Sequence, residues 1–83
     1  MSLTAEQCRA ARALIDMTQQ QLADESRVSL RTIAYFENGS REPVTDTLIA
    51  LRHALERAGV VFIDDDDEPG VKLRRRKAPR RAR

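Results

Sequence analysis

Eighty-three residues with a formal charge of +2, 41% hydrophobic residues and a single cysteine bound this chain to one small domain. A core of that size leaves little stability in reserve, and with no Trp, one Tyr and two Phe it suits packed helices better than a β-sandwich, whose strands favour aromatic residues. Cys8 alone cannot form an intrachain disulfide. No basic and apolar leader marks a signal peptide, and no segment has the length of a membrane span. A soluble, cytoplasmic protein with no membrane partner is expected.

The first helix is predicted from Thr4 to about Ile15. Thr4 and Gln7 have the spacing of a capping box, and Cys8, Ala11, Leu14 and Ile15 form one apolar stripe behind it. Cys8 reads there as a small buried hydrophobe. Thr18 and Gln21 repeat the box at the start of a second helix, whose inner side is Leu22, Ala23 and Ser26. Ser29 can cap a third, predicted over about 29–38, with Ile33 and Phe36 inward and Gly39 as a left-handed C-terminal stop. Pro43 closes the next loop, and a fourth helix is predicted over Thr45–Ala58 on Leu48, Leu51 and Leu55, stopped by Gly59. Beyond it "VVFID" (Val60–Asp64) and "VKLRR" (Val71–Arg75) read as strands around the turn "DDDEPG". From Arg76 the chain is too polar to pack, and disorder is expected. The fold class is therefore mainly α: a bundle of four helices over 1–59, a two-stranded β element over 60–75 and a basic tail over 76–83.

The small net charge hides a strong asymmetry. Residues 1–63 carry seven arginines against eight carboxylates, Asp64–Glu68 adds five more, and eight Lys and Arg follow from Val71. In the tail Arg76, Lys77, Arg80, Arg81 and Arg83 are the natural arm for nucleic acid, through charge alone.

Only Ser26, Arg27 and Val28 separate the second and third helices, which are too short to stand alone. With Ile33 and Phe36 inward, the opposite face of helix 3 presents Leu30, Arg31, Ala34, Tyr35 and Asn38. A helix with that surface needs a partner, and the major groove of B-DNA, about 12 Å wide, admits one helix. The stretch "MTQQQLADESRVSLRTIAYFENGSREP" resembles the helix-turn-helix of the phage Cro/repressor-type (XRE-like) regulators. Gln19, Leu22-Ala23, Val28-Ser29, Ile33 and the Phe36-Glu37-Asn38-Gly39 exit carry the resemblance, which covers about residues 4–58 and implies a lambda-repressor-like bundle. It further implies that Ser29, Leu30, Arg31, Ala34 and Tyr35 read base edges. Thr18 and Gln19 at the start of helix 2, with Asn38, Ser40 and Arg41 after helix 3, would meet phosphates. The turn departs from the family's pattern: Arg27 stands where Gly is usual, at a cost of order 1 kcal/mol if the backbone is left-handed there.

Enzyme chemistry has no foothold. His53 and Cys8 make no metal-ligand set, Asp64–Asp67 lack the pattern of a calcium loop and read as a solvated bend, and no phosphate loop or nucleophile–base pair occurs. A non-enzyme without cofactors is expected. The leading function is a sequence-specific transcriptional regulator, a repressor, that inserts helix 3 into a palindromic double-stranded operator as a homodimer. The alternative is an antitoxin-like or adaptor protein with a protein partner and an autoregulatory helix-turn-helix. A third reading, RNA or nucleoid binding, rests on the tail. The strand Val60–Asp64 is apolar on both faces, more than so small a bundle is expected to cover. A dimer held through Val60, Val61, Phe62, Ile63, Val71 and Leu73 would bury the excess. Whether the strands pair within one chain or across two is open at this level.

Overall fold

The computed structural model describes residues 3–74. Four helices, α1 (Ala5–Leu14), α2 (Gln19–Ser26), α3 (Leu30–Glu37) and α4 (Thr45–Arg57), precede the strands β1 (Val60–Ile63) and β2 (Gly70–Leu73). The order and type of the expected elements are borne out. The basic tail and Arg75 lie outside the described residues.

Both capping boxes close. Thr4 Oγ1 accepts the Gln7 N–H at 3.0 Å while Gln7 Oε1 accepts the Thr4 N–H at 3.1 Å, and Thr18 and Gln21 exchange the same pair at 3.0 and 2.9 Å. Each box satisfies two backbone donors that a helix start leaves without partners. Ser29 caps α3 through the Thr32 N–H at 3.1 Å.

The turn between α2 and α3 is as tight as the sequence demands. Arg27 is left-handed at φ 64° and ψ 26°, so the conformational cost attached to a side chain there is incurred. Ser26 holds the turn: its hydroxyl donates to the Leu22 carbonyl at 2.7 Å and accepts the Val28 N–H at 3.2 Å. A second left-handed residue, Asp16 (φ 53°), turns the chain from α1 toward α2, and no sequence signal had marked it.

One core joins the four helices and β1, with Val71 of β2 packed against it. Cys8 and Ala11 of α1, Leu22 of α2, Ile33 and Phe36 of α3, and Leu51 and Leu55 of α4 meet Val60 and Phe62 of β1 in a single buried cluster. Leu14 corrects the expected stripe, being 41% exposed. With 3.6 residues per turn, neighbours lie about 100° apart around a helix. Ile15, seven residues after Cys8, turns inward, and Leu14 beside it turns out.

The strands pair within one chain, antiparallel, with Val60 opposite Leu73 and Ile63 opposite Gly70. Gln7 fastens this hairpin to α1: its side-chain amide donates to the carbonyls of Ile63 (3.2 Å) and Gly70 (3.1 Å). Arg52 fastens it to α4, lying 4.7 Å from the Phe62 ring centroid and holding both carboxylate oxygens of Asp64 at 2.8 and 2.9 Å. Asp64 is therefore an anchor and not simply part of a solvated bend. The Arg52 contact holds its carboxyl below the usual carboxylate range. Val60 and Phe62 require a further correction. They are 0% and 8% exposed in the single chain, spent on the chain's own core because the hairpin folds back over α1 and α4. Val61 and Val71 are half-buried, while Ile63 (40%) and Leu73 (51%) remain exposed.

Candidate nucleic-acid interface

Of the eight residues of α3, Ile33, Phe36 and Glu37 are buried; Leu30, Arg31 and Tyr35 are exposed, and Thr32 and Ala34 are half-buried. Leu30 and Tyr35 keep about two fifths of their surface in water, at 41% and 39%. Ser29 is exposed at the helix start, its O–H donating to Thr32 Oγ1 at 2.9 Å.

The exit from α3 is built by its own backbone. Gly39, left-handed at φ 83°, donates to the Phe36 carbonyl, and the Ser40 N–H reaches the Tyr35 carbonyl at 2.9 Å. Asn38 Oδ1 accepts that same Ser40 N–H at 2.8 Å. Asn38, Ser40 and Arg41 are thus brought together, exposed, at one end of α3. Arg41 lies 5.9 Å from the Tyr35 ring centroid, a cation–π approach that ties this loop to the outward face of the helix.

At the start of α2, Thr18 spends its hydroxyl on the capping box. Gln19 is half-buried, and its amide donates to Glu37 Oε1 at 3.1 Å. One of the two amide hydrogens is therefore engaged inside the protein, leaving one for an outside acceptor.

Glu37, named in the sequence only as part of the exit from helix 3, has a role there that the sequence did not assign. Only 3% of its side chain is exposed, yet it is a carboxylate. Arg12 grips it through Nε to Oε2 at 2.7 Å and Nη2 to Oε1 at 2.6 Å, and the Cys8 thiol donates to Oε2 at 3.1 Å. Burial pushes the Glu37 carboxyl up, but hydrogen bonds from Arg12, Cys8 and Gln19 outweigh it and hold the group below the usual carboxylate range. Burial also pushes the Cys8 thiol up, and because its hydrogen bond to Glu37 adds to that effect, the thiol lies well above its ordinary value. Cys8 is a neutral donor as well as a core residue. A single cluster thus locks the start of α2 and the end of α3 onto α1. The available signal was a carboxylate directly after the inward Phe36, with two arginines three residues apart on α1.

Among the described residues no group of His, Cys, Asp or Glu gathers to hold a metal ion, and no helix is long and apolar enough to cross a membrane. Residues 9–59 match a family model described as helix-turn-helix. Among curated proteins none matches this chain.

Proposed function

The chain belongs to the helix-turn-helix family of DNA-binding regulators of the XRE type, and on that premise we propose that it is a sequence-specific transcriptional repressor acting as a dimer. The outward face of α3 carries this reading: Leu30, Arg31, Ala34 and Tyr35 occupy the side that the core leaves in water. Arg31 has the chemistry to pair bidentately with guanine and Leu30 to touch a thymine methyl. Phosphate contacts position such a helix without reading sequence, the role proposed for Thr18, Gln19, Asn38, Ser40 and Arg41. Helix N-termini and fixed cations favour phosphate. The body of the domain is close to neutral, so the basic residues from Arg76 onward would supply much of the sequence-independent affinity.

Two half-sites about one DNA turn apart require two copies of α3 on one side of an assembly. The hairpin offers the surface, since an isolated two-stranded sheet has two open edges and Ile63 and Leu73 stay exposed. On this reading the protein carries out no catalysis. Selection of bound sequences from a random duplex pool tests it: a palindromic consensus is expected, and a pool that gives no enrichment would overturn it. The exposed hairpin also favours one second reading, an adaptor or antitoxin-like protein that binds another protein there and autoregulates through α3.

A further inference from the structure

Arg9 and Arg12 lie three residues apart on α1, yet the fold uses them differently. Arg12 spends Nε and Nη2 on Glu37 and Nη1 on the Met17 carbonyl at 2.9 Å. Arg9 makes one hydrogen bond among the described residues, from Nη1 to the main-chain carbonyl of Glu37. That carbonyl ends α3 and has no partner within the helix. A guanidinium has five N–H donors, so the contact fixes Arg9 in place while leaving most of them open to solvent, where Arg9 is exposed.

The place is specific. Arg9, Arg12, Gln19, Ala34, Glu37 and Asn38 line one shallow groove where α1, the start of α2 and the end of α3 converge. The groove holds two guanidiniums against one carboxylate, and Arg12 already neutralises that carboxylate in a paired fork. One positive charge is left uncompensated, on Arg9, within a body whose total charge is close to zero. Gln19 and Asn38, both proposed phosphate contacts, share the groove, and Ala34 of the proposed reading face borders it.

We infer that Arg9 is a DNA-backbone contact, its guanidinium pinned by the last carbonyl of α3 so that it seats a phosphate beside Asn38 and the start of α2. The inference rests on the DNA-binding reading and adds to it a residue outside the helix-turn-helix itself. It couples recognition to anchoring: the carbonyl that orients Arg9 belongs to the reading helix, so the phosphate clamp and the base-reading face are held in one register.

The test uses the full chain, its selected duplex and a random duplex of equal length, with affinity measured across a salt series. Arg9→Gln is expected to reduce the log–log salt slope by about 0.9, equivalent to roughly eightfold weaker binding at 0.1 M salt and convergence near 1 M. The loss should be alike on both duplexes, because a phosphate contact carries no sequence information. Arg9→Lys should restore the slope. An Arg9→Gln protein that melts like wild type and keeps the wild-type slope would overturn the inference. Should Arg9→Gln fail to fold, the Arg9 Nε–H resonance of the wild-type protein decides: it shifts on adding duplex if Arg9 meets the backbone, and an unmoved resonance overturns the inference. Failure of the wild-type protein to bind any duplex would defeat the DNA-binding reading itself, a result distinguishable before any variant is made.

Discussion

Arg12 and Glu37, 25 positions apart in the chain, meet in a two-pronged ion pair that joins the first helix to the end of the third. The pair sits beneath the proposed DNA-binding surface, with Gln19 and Arg9 attached to the same glutamate. It therefore sets the position of the recognition helix as much as it holds the core.

Removing one member of a buried pair leaves the other charge without compensation, at a cost of about 3–5 kcal/mol. Arg12→Met is expected to lose that much, enough to unfold much of so small a domain. A paired Arg12→Met, Glu37→Met variant should recover a large part of the loss, because two apolar groups of similar size leave no buried charge. Urea denaturation followed by circular dichroism measures both, and a mild single variant would mean that water solvates Glu37 freely.

Acid should weaken the fold through the same carboxylate. Glu37 is held below the usual range in the folded state, while an unfolded glutamate titrates near about 4.3. A group whose folded value is depressed contributes stability above its unfolded value and loses it as pH falls through the folded one. Asp64, depressed by Arg52, acts with the same sign. The urea midpoint of the wild type should therefore drop below about pH 4, and Glu37→Gln should show a shallower drop over that window. Parallel curves would remove Glu37 from the acid response.

Arg27 holds φ 64° in the turn. An L side chain there costs roughly 1–2 kcal/mol, while glycine adds about 0.5–1 kcal/mol of unfolded-state entropy. Arg27→Gly is thus expected to stabilise by about 0.5–1 kcal/mol, read as a rise in thermal midpoint, with the helix content unchanged. A lower midpoint would show that the Arg27 side chain makes a contribution larger than the backbone strain.

For the reading face, Arg31→Ala should weaken binding to the selected duplex by roughly tenfold or more, since one bidentate base contact is worth about 1–3 kcal/mol. Tyr35→Ala should weaken it as well, and it also frees Arg41 from the ring on which it rests. Neither residue is in the core, so melting temperatures should hold. Gel-shift titrations that find both variants as tight as wild type would take α3 out of the groove.

For assembly, the informative substitutions are Ile63→Asp and Leu73→Asp, at the exposed apolar positions of the hairpin. Each should convert a dimer to a folded monomer in sedimentation at tens of micromolar. Phe62→Asp should instead unfold the chain, because Phe62 is packed in its own core under Arg52. A wild-type monomer at those concentrations would end the proposal of a hairpin-mediated dimer.

What the sequence determined by itself is local. Thr4 with Gln7, Thr18 with Gln21, Ser29 and Gly39 mark helix ends through contacts three residues apart or through one backbone conformation, and such signals survive without knowledge of the rest of the chain. The spacing of Leu48, Leu51 and Leu55 assigns a buried face for the same reason. Three outcomes belonged to the tertiary structure alone. Glu37 became a buried anion only because α1 delivers Arg12 and Cys8 to it from far along the chain. Val60 and Phe62 became core because Gln7 and Arg52 fold the hairpin back onto the helices. Arg9 gained its fixed place because a carbonyl at the end of α3 lies within its reach. Each depends on two distant segments arriving together, and periodicity within either segment carries no trace of where the other will be.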